Sequence, residues 1–143
     1  MNADEQLMRG ILQTQLLTLG WADQTAFEGK SFTPTAGTPY QEVTTVFAEA
    51  FDRTLAGSSE QRGVFQVRLL YPLTKTDGTG TAQAGIGAPA TRAKAIKAAF
   101  PRNTTLPESG GQKVKVLRTP TITRGPPQGD RDVTIVRVRF GDR

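Results

Sequence analysis

The chain has 143 residues and a net charge of +5, and it contains neither cysteine nor histidine. A chain of this length buries about two-thirds of its unfolded surface, which is enough for one core without staples. The missing residues exclude disulfides and thiolate metal sites, and they remove the usual general base near neutral pH. No apolar run approaches the ~18 residues of a membrane span, and the acidic N-terminus is unlike a secretory signal. We therefore expect a soluble, non-exported chain with no membrane partner.

The charge is distributed unevenly along the chain. Residues 1–90 hold 6 basic and 9 acidic side chains, a net charge of −3, whereas residues 91–143 hold 12 and 4, a net charge of +8. The simplest reading of such a basic third is a solvated face. It is also typical of contact with nucleic acid, or with an acidic surface on a partner or sister subunit.

The first third predicts one amphipathic helix over residues 3–20, followed by short extended segments. Its apolar stripe recurs at helical spacing and comprises Leu7, Met8, Ile11, Leu12 and Leu16. Gly10 lies inside this pattern, and we interpret it as a point of close packing against a neighbour. A short strand is predicted at residues 25–27, and residues 31–39, with Pro34 and Pro39, form a loop.

The clearest strand covers residues 63–72 and is predicted to be the centre of the sheet. Phe65, Val67, Leu69 and Tyr71 share one face by the two-residue period of a strand. Residues 40–51 also alternate, and the polar turn at 57–63 predicts a hairpin between residues 40–53 and 63–72. Residues 74–88 are rich in glycine but lack a P-loop lysine in register, so we predict a mobile loop there.

The last third predicts a helix from Pro89 to Phe100 and further strands. Arg92, Lys94 and Lys97 of that helix are expected to face water or a partner. Strands are predicted at 113–117 and 132–140, while the prolines of residues 120–127 predict a loop tip. The element order predicts a single small α+β domain over residues 1–143, with a mixed or antiparallel sheet of about four to five strands and two helices mainly on one face.

No residue constellation predicts catalysis, a cofactor or a metal. Asp130 and Asp132 lack a third ligand, and Ser58 and Ser59 lack a base partner, so we expect no enzyme activity. A basic stripe would form if the strands carrying Lys113, Lys115, Arg137 and Arg139 were neighbours. The aromatic residues look buried, however, so such a stripe suits a subunit contact as well as it suits nucleic acid.

The order of motifs resembles the tail terminator (tail completion) proteins of long-tailed bacteriophages. The resemblance covers nearly the whole chain and depends on order, spacing and length more than on any single motif. Its carrying segments are Gly20-Trp21, Phe32-Thr33-Pro34, Gly37-Thr38-Pro39-Tyr40, Arg62-Gly63-Val64-Phe65-Gln66-Val67, Tyr71-Pro72, Ala98-Ala99-Phe100-Pro101 and Val133-Thr134-Ile135-Val136-Arg137-Val138.

This resemblance implies a structural virion protein, assembled in the host cytoplasm, at the head-proximal end of the tail. It implies a ring, as a rule a hexamer, that caps the tail tube, stops its polymerisation and receives the head connector. The implied partners are sister subunits, the tube protein, a head-completion protein and DNA passing through the lumen. We expect Arg92, Lys94, Arg137 and Arg139 to lie at a subunit boundary or to face that lumen. A head–tail joining protein, a tube protein and a sequence-independent DNA-binding module are the alternatives.

Overall fold

The computed structural model describes residues 3–34, 37–48, 51–52, 59–72, 87–107, 110–128 and 131–141. The helices are α1 (Ala3–Leu17) and α2 (Gly87–Ala99), and one turn of 3-10 helix spans Ala22–Gln24. The strands are β1 (Thr25–Ala26), β2 (Tyr40–Phe47), β3 (Phe51–Asp52), β4 (Ser59–Glu60), β5 (Arg62–Pro72), β6 (Lys115–Val116), β7 (Thr121–Gln128) and β8 (Arg131–Gly141).

Six strands form one mixed sheet in the order β1-β2-β5-β8-β6, with β7 also paired to β8. β1 runs parallel to β2, and the other pairs are antiparallel. The predicted hairpin is confirmed as β2 and β5, which pair from Tyr40 opposite Leu70 to Phe47 opposite Gly63. The α+β prediction with two helices and a mixed sheet is confirmed, as is the central place of β5, although the sheet has one strand more than the four to five expected.

The main core lies between the sheet and the two helices. The predicted face of β5 is buried, with Phe65, Val67 and Leu69 wholly inaccessible and Tyr71 at 7% exposure. It packs against the apolar stripes of α1 and α2 and against alternate residues of β8. The helical part of this core comprises Met8, Ile11, Leu12, Leu16, Ala93 and Ile96, followed by Phe100 just after α2. Alternation along each strand thus assigns one side of the sheet to the helices.

A second, smaller cluster lies on the reverse side of the sheet. Tyr40, Leu70 and Val133 are buried there, and Phe32 and Ile135 pack against them. The Phe32 and Tyr40 ring centroids are 5.3 Å apart. The segment carrying Phe32 therefore covers one end of the side that the helices leave open.

The predicted loop tip at residues 120–127 is wrong, because residues 121–128 form β7. This strand pairs with β8 from Thr121 opposite Arg137 to Gly125 opposite Val133, and then shifts register before Gln128. Pro126 and Pro127 fall within that irregularity. A proline at the edge of a sheet or at an irregular register removes no ladder hydrogen bond, so the segment can still pair.

The interpretation of Gly10 as a close-packing position is also wrong. Gly10 is exposed, and a Cβ atom built there would have no heavy atom within 4 Å. The glycine of the sheet is different, since a Cβ atom on Gly63 would lie 2.5 Å from the carbonyl oxygen of Val46 and 2.7 Å from Cζ of Phe140. Close approach therefore requires glycine at the start of β5 and not in α1.

Several predictions concern residues outside those described. Residues 73–86, which hold most of the predicted glycine-rich loop, are among them, as are residues 53–58, which include the start of the polar turn predicted at 57–63. Within that predicted turn, Ser59–Glu60 form β4. Ser58 and Asp130, which were weighed as catalytic or metal-binding candidates, also lie outside the described residues.

Candidate interaction surface

The sheet presents a second surface on the side away from the helices, which we call the open face. Cross-strand partners point to the same side of a sheet. At the end of the sheet away from the Phe32 cluster, the register places two rows of side chains on the open face. These rows are Val46–Val64–Arg139 and Thr44–Gln66–Arg137.

Arg137 and Arg139, two of the residues predicted to contact a partner, are both exposed on the open face. The Nε of Arg137 donates a hydrogen bond to Oε1 of Gln66 at 3.1 Å. Within the described ranges, neither arginine forms an ion pair with a carboxylate. Both guanidinium groups therefore carry their charge at the surface.

Lys115 lies on the same face as these arginines. It pairs with Gly141 of β8, which alternates with Arg139 and Arg137 along that strand. This pairing supplies the neighbouring strands that the predicted basic stripe required. Lys113 is exposed just before β6, outside the paired residues.

At the other end of the open face, Arg68 and Arg131 bind groups within the chain. Arg68 forms an ion pair with Glu42 at 2.7 Å, and both side chains are partly buried. Arg131 donates to the carbonyl oxygen of Thr38 at 2.6 Å and lies 4.8 Å above the centroid of the Tyr40 ring. Arg137 and Arg139, which form no ion pair with a described carboxylate, lie at the end opposite the Phe32 cluster.

Arg92 was expected to face water or a partner, yet its guanidinium binds within the chain. Nη1 donates to the carbonyl oxygen of Leu19 at 2.9 Å, and Nη2 lies 3.4 Å from Oε1 of Gln41. The guanidinium also stacks 4.3 Å above the Trp21 ring. Burial lowers the pKa of Arg92, and the nearby Tyr71 opposes this shift. Arg92 thus joins α2 to the end of α1 and to β2.

Lys94, the fourth predicted residue, is exposed on α2. Because α2 packs against the helix-covered side, Lys94 and the pair Arg137 and Arg139 lie on opposite sides of the sheet. The structure therefore does not bring the four predicted residues into one cluster.

Arg62 and Arg118 were missed by the sequence reasoning. They meet Arg139 around a cavity of about 240 Å³ at the end of the sheet. No sequence motif includes them. Arg118 lies next to Arg139 because the preceding residue, Leu117, donates a backbone hydrogen bond from N to Arg139 O at 2.9 Å. Strand alternation alone could have found Arg139 but not its neighbours.

The described side chains offer no cluster of three or more histidine, cysteine, aspartate or glutamate residues that could hold a metal ion. Asp132, one of the two acids considered for such a site, instead accepts hydrogen bonds from Nη2 of Arg124 at 2.8 and 3.0 Å. Neither α1 nor α2, as far as each is described, is long and apolar enough to cross a membrane.

The chain matches one protein-family model and is similar to a solved structure. A family model described as phage tail terminator protein matches residues 8–140. One solved structure is similar to this fold, with a TM-score of 0.69. Its sequence is 24% identical, and the match covers 99% of this chain and 97% of that chain. An identity this low shows a shared fold alone. No curated protein matches the chain.

Proposed function

Because this chain belongs to the phage tail terminator protein family, its role lies in phage tail assembly, and we propose that it forms a ring of six copies that caps the tail tube. The ring stops polymerisation of the tube protein and offers a surface to the head-completion or connector protein. It acts by binding, without catalysis or a cofactor, with residues 1–143 serving as one domain. Its place is the head-proximal end of the virion tail, after assembly in the host cytoplasm.

The difference in net charge between the two parts of the chain that supply the sheet edges motivates a ring. β1 and β2 come from the part of the chain with net charge −3, whereas β6, β7 and β8 come from the part with net charge +8. These two groups of strands lie at opposite edges of the sheet. A head-to-tail contact between unlike edges closes into a ring when the rotation per subunit divides a full turn.

Three of the predicted contact residues suit this role by their exposure. Arg137 and Arg139 stand on the open face and Lys94 on the helix side, while the guanidinium of Arg92 is bound internally. We propose that the two arginines face a sister subunit or the lumen, where contact with DNA would be through phosphate charge and without sequence readout.

Native mass measurement of the purified chain, alone and with tail tubes, tests the ring. We expect closed rings of six copies, or single copies that become rings at tube ends, seen as caps in negative-stain images. A chain that stays monomeric and never binds a tube end would refute the proposal. Open polymers would indicate a tube protein, and binding to a head-completion protein without binding to tubes would indicate a joining protein.

Single charge reversals locate the side of the molecule that makes the contacts. Arg137→Glu is expected to weaken ring formation or capping if the open face faces a sister subunit, and Lys94→Glu if the helix side does. Lys97→Glu is the matched control, because Lys97 is exposed on the same helix as Lys94 and is not among the predicted contact residues. Equal effects of all three substitutions would indicate a response to net charge only.

The exposed arginines also favour a second candidate, a sequence-independent DNA-binding module. Phe65, Tyr71 and Phe140 are buried and cannot stack on bases, so in this candidate affinity would come mainly from phosphate charge. Such binding falls steeply with salt because counterions are released. Absence of measurable DNA binding at low salt would exclude this candidate without affecting the ring.

A further inference from the structure

The cavity at the end of the sheet combines an apolar floor with a rim of arginines. It has a volume of about 240 Å³ and opens where the ends of β5 and β8 meet the segment after β6. The partly buried Val64 and Leu117 form the apolar part of its lining, which we call the floor, and Arg62, Arg118 and Arg139 also line it.

Backbone pairing fixes the walls of this cavity. Val64 lies opposite Arg139 in the ladder between β5 and β8. Leu117 N donates to Arg139 O at 2.9 Å, which holds Arg118 beside that strand. On the other side, Ala48 N donates to the carbonyl oxygen of Arg62 at 2.8 Å. The arginines are therefore positioned by the sheet itself.

Two of the arginines around the cavity form no ion pair with a described carboxylate. These are Arg118 and Arg139, and both are exposed. Beside them Val46, in the same cross-strand row as Val64 and Arg139, is 61% exposed. Exposed apolar surface therefore continues from the cavity next to unpaired positive charge.

The size and chemistry of the cavity select one class of occupant. At about 240 Å³ it is smaller than the roughly 300–1,000 Å³ of small-molecule clefts, and it suits a single side chain. Guanidinium groups bind carboxylates in a two-pronged geometry. Phe140 is fully buried and offers no stacking platform for a nucleic-acid base.

We propose that this cavity binds an acidic segment of a partner protein, which inserts one apolar side chain against Val64 and Leu117 and places a neighbouring carboxylate on Arg118 and Arg139. This contact does not require the proposed ring, since all of its residues belong to one copy.

Fluorescence anisotropy with a labelled peptide, Ser-Glu-Leu-Asp-Leu-Glu-Ser, tests the proposal on the full chain. We expect saturable binding that weakens at least about tenfold when Arg118→Glu and Arg139→Glu are combined, since like charges then face each other. Lys97→Glu is the matched control, because Lys97 is an exposed cation that lies outside the cavity and is not among the predicted contact residues. A peptide with serine in place of leucine is expected to bind more weakly, because it leaves the floor empty.

Circular dichroism checks that each variant is folded, and Arg118→Gln, which removes a charge without reversing it, should give an intermediate loss of affinity. Equal peptide affinity in wild type and in the folded double variant would overturn the proposal. It would also be overturned if a labelled dT oligonucleotide, and not the peptide, bound through these two arginines. Native mass measurement of the same samples shows whether rings form, so failure of peptide binding and failure of the proposed ring are read separately.

Discussion

The two faces of the sheet are made by the same strands but are used differently. On the helix side Phe65, Val67 and Leu69 are inaccessible to solvent. One residue away in the chain, Gln66 and Arg68 are only partly buried on the open face. Alternation along β5 thus places inaccessible apolar side chains on one side and partly exposed polar side chains on the other.

We therefore expect substitutions on the helix side to affect folding and substitutions on the open face to affect binding. Full burial of a large apolar side chain contributes about 1.5–3 kcal/mol, and the helix side of β5 repeats this along the strand. Substitutions at exposed surface positions usually change stability by less than about 0.5 kcal/mol. The following predictions test this separation, beginning with the largest effect.

Val67→Asp is expected to abolish folding. Val67 is fully buried between Val43 of β2 and Val136 of β8 in the centre of the sheet. A carboxylate there would have no partner, and the cost should exceed about 4 kcal/mol, a large part of the stability of a small domain. Circular dichroism and urea unfolding measure the effect.

The matched control is Gln66→Asp, one residue away on the open face, where Arg137 lies within hydrogen-bonding distance of the side chain. This variant should stay folded, because its carboxylate is next to a cation and to water. A soluble Val67→Asp variant with cooperative unfolding would show that the centre of the sheet is misplaced.

Gly63→Ala is expected to destabilise the fold by about 1–3 kcal/mol, the usual cost of overpacking. The new methyl group would lie 2.5 Å from a backbone oxygen of Val46, and backbone cannot move aside as a flexible side chain can. Gly10→Ala is the control of opposite sign. Gly10 is exposed within α1 with open space around it, so alanine should stabilise the helix by about 0.5–1 kcal/mol. Loss of stability in both variants would contradict this assignment.

Most of the helix-side core could be predicted from the sequence, because strand and helix periodicity directly encode burial. The faces of β2, β5 and β8 and the apolar stripe of α1 follow from spacing alone. Periodicity failed where tertiary context decides. The prolines of residues 120–127 predicted a loop in place of β7. Because β7 is an edge strand and its register is irregular at Pro126 and Pro127, the missing N–H groups remove no ladder hydrogen bond.

The candidate surface was less predictable for the same reason. The position of Arg92 in the helical pattern predicts an exposed side chain. In the structure its guanidinium contacts the carbonyl oxygen of Leu19, just after α1, and the ring of Trp21. No sequence pattern predicts that Arg118 lies at this surface, because its position depends on the pairing of the segment after β6 with β8. Residues that belong to one element are predictable from that element's period, whereas residues that meet across elements are not.

Tyr71, on the helix side of β5, should make the stability of the fold depend on pH. Burial raises the pKa of Tyr71 above 10.0, and Arg92 opposes this shift. The folded chain therefore holds the phenol proton more tightly than the unfolded chain does. The resulting stability is complete below about pH 10 and is lost as the pH rises through the folded-state pKa. Urea midpoints should decline less steeply above pH 10 in Tyr71→Phe than in the wild type. Parallel declines in the two proteins would refute this role.

Arg137→Gln should have the smallest effect on stability and so gives the most direct test of the open face. Arg137 is exposed, and its described hydrogen bond is to Gln66 at 3.1 Å, a neutral partner at the surface. We expect the free energy of unfolding to change by less than about 0.5 kcal/mol, while ring formation or tube capping weakens because a surface charge is lost. Urea unfolding and native mass measurement on the same sample separate the two effects. A large loss of stability would show that the open face helps to hold the fold together, and the division between the two faces would then be wrong.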